Sequence, residues 1–484
     1  MKKFLLLILA LAMMLTVFAC AGGDNKKDPG KVPQSSEDEY PVPEKDWGGR
    51  DYRIGMIEGY QVEFFTMLDD PNDPIDYALW LRNNTVESLF NVEISPEYTG
   101  GTGNHGHVEI LEQNILSGDD MYDVTTSYLM SSGRLVMSGC LLDWNQQEYT
   151  NLDADYWVSS INDNFEIEGH VYNAAGATNV TTILYCYGVF MNRTLGGELY
   201  TDNSRETLIV DEVFDKIRNG EWTIDYFHNV VAGVYEDIDQ ENGHSAFDQY
   251  GFNGETKTNI DIFNFAFDLP MIETQDTDEL VEFVYNKTRA SLACDKLKDL
   301  YWNNTGSLVN GDYIGNFTQG RCLFTTGVLE DCFKFFRDSM EDDYIILPYP
   351  KLDEEQSNYY TGTMDNQYVL GLPSSCADPD FASFVTEAMN YEAEKHMVPA
   401  YLQESLQGKF ATDEVALEML DYLMEGRRQD FGTLFQDSLD NICVWLRWVV
   451  ADKGNLYEYI DEREDYLKNF LIPAIVEEYR NSAQ

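Results

Sequence analysis

The stretch "GEWTID", Gly220–Asp225, sets an aromatic ring at the threshold of a helix, and the reading of the fold starts there. Thr223 suits the N-cap, because its hydroxyl can accept an amide that the first turn leaves free. Trp222 stands just before that cap, a position where an indole anchors a helix in a core rather than stacking on a ligand. Outward from this point, strands and helices alternate. Asp51–Ile57, Val92–Tyr98 and Asp123–Tyr128 read as strands, with helical periodicity over Asp76–Phe90 and Val108–Leu116 between them. Later, Tyr344–Tyr349 and Tyr368–Pro373 are strand-like, while Asp380–Glu394 and Asp413–Glu425 are helical. That alternation predicts α/β architecture with mainly parallel sheets.

Several segments, taken in order, resemble one family. They are Tyr187-Gly-Val-Phe-Met-Asn192, Gly220–Asp225, Asp248-Gln-Tyr-Gly-Phe252, Phe317–Phe324, Tyr344–Pro350, Gln356–Tyr360 and Leu372-Pro373-Ser374. Together, from about Trp47 to about Phe435, they resemble the extracellular solute-binding proteins of bacterial ABC importers, the carbohydrate-associated family 1 type. Asn192-Arg193 departs from the usual Asn-Lys, and Ile224 stands where an aromatic residue is common. The resemblance implies a two-lobed periplasmic-binding-protein-like fold of type II, with lobes joined by crossing hinge segments that close around a solute. The expected crossings are Thr181–Phe190, Asp343–Pro350 and the stretch near Val398-Pro399. Lobe 1 is then expected over residues 47–180 plus 344–396, and lobe 2 over 181–343 plus 397–484.

The N-terminus reads as an export signal: Met1-Lys2-Lys3 precedes the apolar run Phe4–Ala19. That run is too short to span a membrane comfortably. Val17-Phe18-Ala19-Cys20 resembles a bacterial lipobox, although Phe18 replaces the usual small residue. Residues 1–19 are therefore expected to be a signal peptide and Cys20 the lipidated N-terminus. The alternative is an ordinary signal with an incidental cysteine. Residues 20–46, rich in Gly, Lys, Asp, Ser, Glu and Pro, have little to bury and are expected to be a disordered tether.

Composition narrows the partners. The formal net charge of −53 repels nucleic acid and anionic headgroups. Beyond Cys20, seven cysteines remain, an odd number with no C-x-x-C pair, so neither a complete disulfide framework nor a zinc cluster is expected. No metalloprotease, hydrolase-elbow or P-loop signature is present.

Open α/β sheets bind ligands beyond the carboxyl ends of their strands. This rule selects Tyr60, Phe64, Ser127, Tyr128, Trp144, Asn179, Asp365 and Asn366 as candidates for solute contact. Arg428 and Asp430 lie in a segment that resembles one near the cleft in the family. Aromatic faces with planar polar groups suit a sugar. The loop from Asp237 to Asp248 offers Asp237, Asp239, Glu241, the Gly243 carbonyl and Asp248 at the spacing of a calcium loop, against the plainer reading of a solvated acidic turn. Asn104-His105-Gly106-His107 reads as a glycine-rich surface loop rather than a transition-metal site. No cofactor for activity is expected.

The resulting expectation is a non-enzymatic, monomeric lipoprotein at the outer face of the cell membrane. It would bind a carbohydrate, most simply an oligosaccharide, and serve an ABC-transporter permease. The alternatives are a secreted lipoprotein glycoside hydrolase and a glycan-binding surface protein without a transporter.

Overall fold

The computed structural model describes residues 40–59, 63–65, 73–101, 103–201, 206–240, 243–275, 280–406 and 414–482. Cys20, the signal and most of the tether lie outside them. The opening stretch folds as read. Thr223 caps the helix Ile224–Ala232, its Oγ1 accepting the amide of Tyr226 at 3.3 Å. Trp222 is fully buried, packs edge-on against Phe227, and donates Nε1–H to the Pro348 carbonyl at 2.9 Å.

Two sheets carry the architecture. In the first, Val92–Tyr98, Arg50–Met56, Val124–Tyr128, Tyr368–Pro373 and Leu141–Leu142 lie side by side, with Asn173–Ala174 also paired to Tyr368–Pro373. In the second the order is Ser307–Val309, Tyr250–Gly254, Cys322–Val328, Tyr187–Asn192 and Tyr344–Leu347. Each sheet has a strand that runs against its neighbours: Tyr368–Pro373 in the first, Tyr187–Asn192 in the second. The cause is topological. The other strands leave their sheets at the end where the chain crosses, whereas these two enter from the crossing and must run the opposite way.

The crossing itself is built from three pieces of chain. Thr361 Oγ1 donates to the Tyr187 carbonyl at 2.8 Å, the Met364 amide donates to the Tyr185 carbonyl at 3.0 Å, and Cys186 bridges Thr363. Thr361–Gly362 then pairs in parallel with Arg427–Arg428. The chain passes from the first sheet to the second between Asn173–Ala174 and Tyr187–Asn192. The second crossing lies at 361–364 and not at Asp343–Pro350, because Tyr344–Leu347 is a paired strand of the second sheet. The helix Pro379–Leu406 runs through Val398-Pro399, and the chain recrosses at Arg427.

Three sequence boundaries shift. Tyr344–Leu347 was assigned to lobe 1 but pairs within the second sheet. The last helix, Ile472–Ser482, was assigned to lobe 2, yet Tyr479 packs on Tyr172 and donates to the Phe165 carbonyl at 3.0 Å. The folded unit begins at Pro41, inside the expected tether. Val42 is buried, Lys45 Nζ lies 3.4 Å over the Trp47 ring, and Asp46 accepts the Gly48 amide at 2.8 Å.

The cysteines and the histidine-bearing segment take the following places. The seven cysteines among the described residues are all free and buried. His107 is a core residue whose ring nitrogens bond Thr99 Oγ1 at 2.6 Å and the Thr126 carbonyl at 2.8 Å, which leaves it nothing to offer a metal. The surrounding glycines are not all loop, since the helix Gly103–Leu116 starts among them. No described helix is long and apolar enough to cross a membrane.

Candidate functional site

The cleft edge of the second sheet begins at Tyr187, and that of the first at Tyr368. Between these entry points the structure leaves a small cavity. Its polar walls come from Tyr187, Thr258, Asp261, Thr363, Asp365, Gln429, Thr433 and Gln436. About 20 Å³ is free, room for one water.

Each wall residue is held by a separate element. Asp261 stands alone as a carboxylate in the buried helix Thr258–Ala266, where its Oδ2 meets Arg447 Nη1 at 3.2 Å. Burial pushes the Asp261 carboxyl well above its usual range, and Arg447 draws it partly back. Asp365 precedes the strand Tyr368–Pro373, and burial raises its carboxyl too, again opposed by Arg447. The two carboxylates also repel each other. Gln429 follows the crossing strand Arg427–Arg428 and donates Nε2–H to the carbonyl and hydroxyl of Thr363, at 2.8 and 2.6 Å. Tyr187 OH meets Thr258 Oγ1 at 2.7 Å. Three buried acceptors here have no protein partner: Asp261 Oδ1, Gln429 Oε1 and Gln436 Oε1.

The residues expected to contact a solute divide clearly. Asp365 lines the cavity, and Asn366 is beside it with a buried Oδ1 lacking a protein partner. Tyr128 closes its strand at the cleft edge, its ring stacked on Tyr368 with centroids 4.9 Å apart. The others serve the scaffold. Trp144 is fully buried and donates Nε1–H to Leu370 O at 3.4 Å, because the Asp143 cap turns its indole under the first sheet. Ser127 lies inside that sheet opposite Val369. Phe64 is buried beneath the Arg82 guanidinium. Asn179 donates to Glu63 Oε2 at 3.2 Å and accepts the Gly176 amide at 3.1 Å. Arg428 lies over the Tyr360 ring and pairs with Asp268 at 2.9 Å. Asp430 caps the helix Phe431–Leu434 and accepts the Met271 amide at 2.9 Å. Tyr60 lies outside the described residues.

Sequence reading passed over Asp261, Gln429 and Gln436. A lone aspartate in the apolar run Ile260–Ala266 was the available signal for the first. Gln429 stands between the candidates Arg428 and Asp430.

In the acidic loop, carboxylate oxygens of Asp237, Asp239 and Asp248 lie within 4.8 Å of one another. Asp248 accepts the amides of Ser245 at 2.8 Å and Ile238 at 3.1 Å, which holds its carboxyl below the usual range. Asp239 accepts the Ser245 hydroxyl at 2.6 Å, and Gly243 has φ +112°. Glu241 lies outside the described residues.

No protein-family model and no curated sequence matches the chain. The fold does match solved structures. One is the galacto-N-biose-/lacto-N-biose I-binding protein of an ABC transporter from Bifidobacterium longum, in complex with lacto-N-biose. It is 10% identical over 90% of this chain and 99% of that one, with TM-score 0.53. Another is an ABC substrate-binding protein from Listeria monocytogenes in complex with cycloalternan, 12% identical over 87% of this chain and 98% of that one, with TM-score 0.52. UgpB from Mycobacterium tuberculosis, in complex with glycerophosphocholine, is 12% identical over 89% of this chain and 98% of that one, with TM-score 0.51. The fold is thus the two-lobed α/β fold of ABC-transporter solute-binding proteins.

Proposed function

We propose that the protein captures an oligosaccharide between its two lobes and delivers it to an ABC-transporter permease. Its place is the outer face of the membrane, where a lipid on Cys20 holds it. The observation that carries the reading is the buried, acceptor-lined cavity at the point where three chain crossings join the two sheets. The cavity has room for about one water, so it takes a single polar group of the solute while the rest of the solute lies between the lobes. Sugar complexes among proteins of the same fold support the choice of ligand. The protein acts as a monomer, avoids nucleic acid because of its charge, and takes calcium in the acidic loop as a structural ion. A thermal-shift screen of residues 41–484 against mono- and oligosaccharides and short peptides tests it. A saturable rise with one glycan class, the glycan being recovered intact, supports the reading. Breakdown of the glycan would instead establish the hydrolase alternative.

A further inference from the structure

We infer that the cavity between Tyr187 and Asp365 recognises a protonated amine on the solute, so that the preferred ligand is an amine-bearing saccharide rather than a neutral one. This rests on the solute-capture reading above and sharpens it.

The cavity wall holds buried acceptors that nothing in the protein satisfies. Gln429 and Gln436 are only 3% and 4% exposed, yet each keeps its carbonyl oxygen without a protein partner. Asp261 adds a third such acceptor, Oδ1. Three donor groups on the wall are already engaged. Gln429 Nε2–H serves Thr363, Tyr187 OH is shared with Thr258, and Gln436 donates to Asp365. Two carboxylates, Asp261 and Asp365, face one basic side chain among the described residues, Arg447. With both ionised the balance is −2 + 1 = −1.

A sugar hydroxyl brings one donor and also acceptor lone pairs, which would meet more acceptors here. An ammonium group brings three donors, no acceptor and one positive charge. It fits the three unpartnered oxygens in number and cancels the residual charge. Burial of the two carboxylates with only Arg447 to offset it raises their proton affinity, so an arriving ammonium takes over the role of a bound proton.

Titration calorimetry on the folded chain tests this with four probes of defined chemistry. These are a fully deacetylated glucosamine tetramer, its N-acetylated counterpart, maltotetraose and putrescine. The expected result is preference for the deacetylated over the N-acetylated tetramer by roughly tenfold or more, the scale of losing one hydrogen bond to a charged group. Asp261→Asn and Asp365→Asn should each remove most of that preference, with the ligand-free melting temperature reporting that the variant is folded. Binding of putrescine alone would support the amine site while removing the saccharide part of the proposed function. Equal binding of neutral and amine-bearing tetramers would overturn the inference and leave solute capture standing. Failure of all four to bind would overturn the inference for these chemistries, and the wider screen would then decide the capture reading separately.

Discussion

The Glu63 carboxylate accepts the main-chain amide of Thr181 at 3.0 Å, tying the segment after the first strand to the start of the first crossing. Asn179 and the Thr181 hydroxyl add further donors, and the buried Arg82 donates to the Glu63 main-chain carbonyl at 2.8 Å. Burial still dominates and pushes the Glu63 carboxyl up to about 7.

Glu63 is among several acids held high, with Glu387 also at about 7 and Asp331 and Asp430 at about 6, each chiefly through burial. The folded state therefore keeps these protons where the unfolded chain releases them. Their contribution is full below about pH 4 and is lost as pH rises towards 7. It amounts to roughly 3 kcal/mol for each glutamate. The melting temperature is expected to rise between pH 7.5 and 5, and calorimetric scans across that window check it. Glu387→Gln should flatten the slope. Melting that instead falls steadily on acidification would contradict the assignment.

Trp222→Ala should destabilise the protein by about 3–5 kcal/mol, since it opens a cavity beside Phe227 and Phe324 and orphans the Pro348 carbonyl. Urea unfolding gives the value directly. Thr223→Ala should cost only about 1 kcal/mol, because it removes one cap.

If the acidic loop holds calcium, millimolar calcium should raise the melting temperature of the wild-type chain and leave Asp239→Asn unmoved. Ligation would have to compete with the Ser245 hydroxyl on Asp239 and the amides on Asp248. An identical melting curve with calcium and with chelator would identify the loop as a turn fixed by its own hydrogen bonds.

Cys20→Ser should shift the protein from the membrane fraction to the soluble extracytoplasmic fraction without altering its melting temperature. Fractionation followed by mass analysis of the N-terminus reads both the location and the lipid. An unmodified Cys20 in a soluble wild-type protein would restore the ordinary signal-peptide reading.

The elements that obey local rules were legible in the sequence. Thr223 could be read as a cap and Trp222 as an anchor because both roles are set within a few residues. The strand Tyr344–Leu347 was readable as a strand, but its sheet was not, since its partner Met191 is remote in sequence. The site was harder for the same reason. Trp144 and Asn179 have the chemistry of ligand contacts, and only packing against Leu370 and Glu63 shows them to be committed elsewhere. Asp261 carried a signal, being a charge inside an apolar helix, but its meaning depends on Arg447 and Asp365 converging from other parts of the chain.

The buried sulfurs give the molecule built-in gauges of its own motion. Cys443 lies on the cavity wall and Cys186 in the first crossing, and burial pushes the Cys186 thiol up to about 12. A thiol-reactive dye is therefore turned away from both in the folded chain. Its rate of uptake would count how often local opening of the crossing uncovers them, and a solute that braces the crossing would act as a shutter that slows the count.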